Sequence, residues 1–375
     1  MLSQSKPGSD ARFFGLDLLR VIAAWSVTIS HGLLVLAGPY PWCGTAICFL
    51  DFGVPLFFAL SGYLIGGLLL RLGEKLAQPT ILAGFWCRRW LRTLPNYFLF
   101  LCLNVLLVTV VFDFKIPGGA PAVVQHVFFL QNFWHASTWF YPESWTLAVE
   151  EWFYLLLPLG LWLLLKLGVP FRRAFVGGVT ALIVFSTATR FWRAPSLGWS
   201  PDLRYTVVHH LDNIALGSLA AVLRLSFPQR WQARRGLALA LGIALLGMTG
   251  FAYLRLDRGN APATLAAVIF SAQSLGCVLL LPWATTLARP RSERAARAVT
   301  ALATWSYALY LSNLPIIQLL YGSGWIDGGA PRWHFVAGVF ACWTLSLVVS
   351  VGIYRGLERP IMAWRERLSW CRQAR

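Results

Sequence analysis

The sequence predicts an all-α integral membrane protein of about ten transmembrane helices with both termini in the cytoplasm. Three observations carry that expectation. Hydrophobic residues make up 57% of the 375-residue chain and charged residues only 13%, and the mean hydropathy of +0.61 is far above that of a soluble mixture. Apolar runs long enough to cross about 30 Å of hydrocarbon recur along the whole length. Basic residues concentrate in alternate connections, as expected when Lys and Arg are retained on the cytoplasmic side.

The runs fall at 16–37, 52–70, 93–112, 146–165, 174–191, 207–223, 236–254, 262–284, 299–320 and 334–355. The first follows Lys6 and Arg12 and meets a small-residue "LAG" near Ala37, as a cleaved signal would. It is too long for a signal-peptide core, however, and Arg20 interrupts it. Short polar connections separate the runs and no block of soluble-domain size intervenes, so residues 1–375 read as a single membrane domain with short cytoplasmic ends at 1–12 and 356–375. Counting from a cytoplasmic N-terminus, most of the 32 Lys and Arg fall on the inner side. The loops near Gln78, Ala233 and Ser292 should then be cytoplasmic, and those near Gly118, Asp257 and Gly328 should not. The net charge of +17 is explained by this topology signal and by attraction to anionic head groups, which argues against a nucleic-acid partner. The seven cysteines show no metal-binding spacing and read mainly as packing residues, with Cys43 and Cys48 expected to be free thiols.

Polar residues inside the runs mark the chemistry. Arg20 and His31 are eleven positions apart on the first run, which returns to within about 20° of the same helix face with a rise of about 16 Å. Buried ionisable groups at such depth belong in the bundle interior or a hydrated cavity; the plainer alternative is a snorkelling Arg and a His bonded to a carbonyl. The fourth run carries Glu150 and Glu151 at the level His31 reaches, so one of them is the expected partner that orients the imidazole as a general base. Arg88, Arg89 and Arg92 precede the third run, interleaved with Trp86 and Trp90, and together make a plausible clamp for an anionic phosphate ligand. Positive-inside charge explains any one of them. The aromatic stretch from 133 to 145 suggests a sugar-stacking floor or an interfacial belt. Ser144 and Trp145 lie within it, and Asp212 lies at the outer start of the sixth run. His209 and His210 beside Asp212 could also hold a metal, although no metal site is expected.

Several stretches together resemble the acyltransferase 3 family of membrane acyltransferases: Arg20 and His31 as its Arg-x10-His signature, "FGVPLFFALSGYLI" at 52–65, "RRWLRTLPNY" at 88–97, "SWTLAVEEWFYL" at 144–155, "LDNIALGSLAA" at 211–221, "SYALYLSNLP" at 306–315 and "ERP" at 358–360. The resemblance spans nearly the whole chain. It implies O-acyl transfer in a bacterial inner membrane, with cytoplasmic acyl-CoA (acetyl-CoA above all) as donor substrate and no permanently bound cofactor. The acceptor would be a hydroxyl of a glycan or lipid-linked saccharide. It further implies that His31, Arg20 and Glu150 or Glu151 are catalytic, that Arg88, Arg89 and Arg92 bind the donor, and that Trp145, Ser144 and Asp212 are the candidate acceptor-binding residues. Two departures stand out. Pro55 occupies a position where relatives often carry Asp, leaving Asp51 one turn earlier as the available carboxylate, and Ser312 and Asn313 replace a "WH" pair in the ninth run. Some relatives append an extracytoplasmic esterase-like domain, absent here, so transfer should be completed within the membrane domain or with a partner. A proton-coupled secondary transporter is the alternative class, as is an acyltransferase for a non-glycan small molecule.

Overall fold

The computed structural model of the protein describes residues 13–36, 40, 42–136, 140–259, 262–322 and 331–372. Within them the chain is helical, with no strand. The first half contains α1 (Phe14–Leu36), α2 (Trp42–Leu50), α3 (Gly53–Leu72), α4 (Pro79–Leu106), α5 (Gly119–Val127), α6 (Ser144–Lys166) and α7 (Phe171–Leu197). The second half contains α8 (Pro201–Arg204), α9 (Leu211–Ser226), α10 (Pro228–Ala233), α11 (Arg235–Asp257), α12 (Ala263–Leu279), α13 (Leu281–Ala284), α14 (Glu293–Gly322), α15 (Arg332–Ile353), α16 (Arg359–Arg365) and α17 (Ser369–Arg372). A π-helical segment, Tyr354–Glu358, joins α15 to α16.

All ten apolar runs lie on helices, but eight helical stretches among the described residues are long and apolar enough to cross a membrane, so the expected count of ten is not reached on that criterion. The two that fall short are α9 and α14. α9 is 16 residues long and packs inside the bundle rather than against lipid. α14 has 30 residues, but Thr300, Thr304, Ser306, Tyr307, Ser312 and Asn313 dilute its hydropathy. A helix of low hydropathy in this setting must turn its polar face towards other helices. The third run also begins earlier than the sequence suggested. Pro79 opens α4 at a position where a missing N–H costs nothing, and Arg88, Arg89 and Arg92 therefore lie within the helix rather than before it. The loop near Gly328 and residues 1–12 lie outside the described residues.

Close backbone approach holds the centre together. A Cβ on Gly62 would meet the Ile214 carbonyl oxygen at 1.9 Å, and one on Gly217 would meet that of Ala59 at 2.3 Å. Only glycine lets α3 and α9 come so near, and the Ser218 hydroxyl then donates to the Gly62 carbonyl at 3.0 Å. On the other side α1 packs along α14 and α15; Trp343 Nε1 donates to the Thr28 carbonyl at 3.1 Å. Cys43 and Cys48 are free and buried. Cys87 and Cys371, by contrast with the packing role expected of most cysteines, are joined in a disulfide, with Cα atoms 5.8 Å apart.

Candidate functional site

Two polar centres lie inside the bundle. The first brings α6 against α3 and α4. Glu150 Oε1 accepts from the Ser61 hydroxyl at 2.7 Å, and Glu151 Oε1 accepts from the Thr93 hydroxyl at 2.8 Å. The two carboxylates therefore point to different helices, as adjacent positions about 100° apart must. Arg89 stands over the Tyr154 ring at 6.0 Å and, with Arg92, interacts electrostatically with Glu150. Tyr307 of α14 donates to the Thr93 carbonyl at 2.8 Å, and Asn96 donates to Glu358 Oε1 at 2.5 Å. Arg89 and Arg92 of the Arg cluster and the glutamates, read from sequence as separate features at opposite depths, thus meet in one place. Helix α4 explains it: Thr93 lies fourteen residues past Pro79, about 21 Å along the axis, which carries its polar face down to the level of Glu151.

The second centre joins α1 to α14. His31 Nδ1 is 2.5 Å from Asn313 Oδ1. The Asn313 amide nitrogen donates to the carbonyls of Leu309 at 3.0 Å and Tyr310 at 2.7 Å. Those two bonds fix which end of the amide faces the ring, so Nδ1 carries the proton and donates it to Oδ1. Nε2 is then left with its lone pair, the arrangement of a general base. The expected partners of His31, Glu150 and Glu151, are instead engaged by Ser61 and Thr93. An amide has taken the orienting role, because α14 and not α6 is the helix packed against the His31 face of α1. Asn313 was visible in sequence only as a departure from a family pattern.

The remaining candidates divide. Arg20 is 3.6 Å from Asp17, one turn earlier. Arg88 turns away from the carboxylates: it is 3.3 Å from Glu366, and its Nη1 reaches the Cys371 carbonyl at 3.5 Å, so it anchors the C-terminal helices. Ser144 is buried and donates to the Tyr141 carbonyl at 2.6 Å. Asp212 is fully buried and grips Arg190 through both oxygens, at 2.8 and 2.6 Å, while accepting from the Ser271 hydroxyl at 2.5 Å. With these bonds made, neither Ser144 nor Asp212 presents a free group to an acceptor. Trp145 does border open space: with Tyr205 and His210 it lines a recess of about 40 Å³ that also touches Asp51 and Arg204. The ring nitrogens of His209 and His210 bond the Asp202 and Arg204 carbonyls at 3.2 and 2.7 Å, so with Asp212 committed to Arg190 the three do not converge as metal ligands.

A third feature had no counterpart in the sequence reading. A cleft of about 450 Å³ opens where α1 and α14 begin, lined by Phe14, Asp17, Trp305 and Tyr354 and by four arginines, Arg289, Arg297, Arg355 and Arg359.

An acyltransferase-domain family matches residues 13–355, a span that takes in both polar centres except Glu358 and three of the cleft's four arginines. The chain belongs to this acyltransferase family. Among curated proteins, the chain is 26% identical over 393 residues to the O-acetyltransferase OatA of Staphylococcus aureus, covering 92% of this chain and 57% of the relative. It is 27% identical over 379 residues to the putative peptidoglycan O-acetyltransferase YrhL of Bacillus subtilis, covering 92% and 54%. A shorter stretch of 126 residues, 30% of this chain, is 34% identical to the peptidoglycan O-acetyltransferase OatA of Listeria monocytogenes. The chain thus spans a little over half the length of these two relatives. No solved structure matches it.

Proposed function

We propose that the acyltransferase moves an acyl group, acetyl in the first instance, from cytoplasmic acyl-CoA to a hydroxyl of a cell-surface glycan, with peptidoglycan the first acceptor to test. Residues 1–375 act as one transmembrane domain with both termini cytoplasmic, about ten membrane crossings, and a place in the bacterial inner membrane. Family membership and the O-acetyltransferase names of the relatives support the reaction class. The observation that carries the mechanism is the bond from His31 Nδ1 to Asn313, which leaves Nε2 available. In that mechanism the acceptor hydroxyl gives its proton to His31 Nε2 as its oxygen attacks the thioester carbonyl. The new C–O bond forms, the C–S bond breaks, and the proton passes on to the departing thiolate. Arg20, on the same face about 16 Å nearer the cytoplasm, lies along the donor's path. Arg89 and Arg92, which act electrostatically on Glu150, shape the donor route from the α4 side.

The test is transfer itself. Full-length protein in liposomes with radiolabelled acetyl-CoA and peptidoglycan fragments should give acetyl ester on the glycan, and the His31→Gln protein should give none. Labelled product from the Gln variant at the parental rate would remove His31 from the chemistry.

A further inference from the structure

The arginine-lined cleft lies outside the two polar centres, yet it is continuous with the seam that holds one of them. We propose that it is the seat of a nucleoside polyphosphate, the anionic end of the acyl donor; the inference rests on the donor reading above and assigns the ligand's phosphates to arginines of which Arg359 alone lies in a stretch that carried the resemblance, "ERP" at 358–360.

The argument begins with where the charges come from. Arg289 precedes α14, Arg297 is on its second turn, Arg355 sits in the π-helical segment after α15, and Arg359 opens α16. Charge that serves topology alone can be scattered over the cytoplasmic surface. Here separate chain segments bring guanidiniums around one concave volume of about 450 Å³, within the range of small-molecule sites. Arg289 is offset by Glu293 at 2.9 Å. Among the described residues, Arg297, Arg355 and Arg359 have no carboxylate at ion-pair distance. Three unneutralised guanidiniums around one cleft match a ligand with several phosphate charges, because each can bind a phosphate through two parallel N–H donors. Trp305 and Tyr354 on the wall add flat aromatic surface suited to a purine ring.

Position supports the same ligand. Asp17 and Phe14 of α1 and Thr300, Thr304 and Trp305 of α14 line the cleft, and the same two helices meet again at His31 and Asn313. Asp17 and His31 are fourteen positions apart, about 21 Å along α1. A ligand seated by its phosphates at the cleft would need an extended arm of about that length to present a reactive group to His31 Nε2. The π-helical segment also contributes Glu358 to the α4–α6 centre through Asn96, so the cleft adjoins both polar centres.

A lipid phosphate offers part of the same chemistry, and the experiment separates the two sources. Purified full-length protein in detergent is titrated with adenosine 3′,5′-bisphosphate, which carries two of the donor's three phosphates and no thioester arm, and separately with short-chain phosphatidylglycerol. The parent should bind the nucleotide. Arg297→Gln, Arg355→Gln and Arg359→Gln should each raise its Kd about tenfold or more, and Arg355→Lys, which keeps the topology charge but loses the two-pronged contact, should fall between. Arg88→Gln should leave Kd unchanged. In the transfer assay the same variants should raise KM for acetyl-CoA with kcat nearly intact, as expected for a contact made equally in ground and transition states. Parental Kd and KM in all three Gln variants would overturn the proposal while leaving acyl transfer standing, and so would variants that lose phosphatidylglycerol binding but not nucleotide binding. Tight, arginine-dependent nucleotide binding by a protein that transfers no acyl group would instead sink the transfer reading and keep the cleft.

Discussion

Replacing Asn313 by Leu removes the one hydrogen-bond acceptor that fixes the His31 ring while keeping the volume of the side chain. In the parent, His31 Nδ1 donates to Asn313 Oδ1 across 2.5 Å, and Asn313 is 1% exposed. As Nε2 takes the acceptor's proton the ring becomes cationic, and the Nδ1–H bond turns into a charge-assisted one. Such bonds contribute about 1.5–3 kcal/mol, more in the transition state than in the ground state. Their loss should lower kcat roughly 10- to 150-fold, with KM for acetyl-CoA changed less than about twofold. The assay is steady-state transfer to glycan fragments in liposomes at matched protein level. Its control is the melting temperature in detergent, which should stay close to the parent's. A parental kcat in Asn313→Leu, or a loss of kcat no larger than the matching loss of folded protein, would refute the orienting role and leave the pair as packing.

Three further outcomes are expected. Asp212→Asn leaves the Arg190 guanidinium, 0% exposed, without its counter-ion, which should destabilise the fold by about 3–5 kcal/mol; a melting temperature in detergent equal to the parent's would contradict this. Glu143 sits just before α6, 3% exposed, with neither carboxylate oxygen hydrogen-bonded among the described residues, and burial pushes its carboxyl up from 4.5 to about 8. A raised folded-state value gives stability that is complete below pH 4.5 and is lost as pH rises through about 8, so Glu143→Gln should flatten the fall in melting temperature between pH 5 and 9, and parallel curves for parent and variant would exclude Glu143 as its source. Finally, single-cysteine labelling should find positions 78, 233 and 292 accessible from the cytoplasm and positions 118 and 257 from the other side; labelling of position 118 from the cytoplasm alone would invert the topology and the mechanism with it.

What the sequence determined by itself is what depends on local composition. Apolar runs marked the segments that become the bundle's long helices, because the bilayer imposes length and apolarity on each segment separately, although α9 and α14, which pack inside, fall short of a full span by length or hydropathy. The spacing of Arg20 and His31 placed both on one face, because helical periodicity is a property of the chain and not of its neighbours. Tertiary structure decided which polar side chains meet. Depth alone paired His31 with Glu150 or Glu151; helix packing set Asn313 beside it and gave the glutamates to Ser61 and Thr93, since depth orders residues along one axis and says nothing about which helices are adjacent. Asp212 looked available for an acceptor until Arg190, buried from the neighbouring α7, was seen to hold it. The arginine cleft assembles from residues as far apart as Asp17 and Arg359, each unremarkable as cytoplasmic charge, and only the close parallel run of α1 and α14 turns them into a concave surface with room for a ligand.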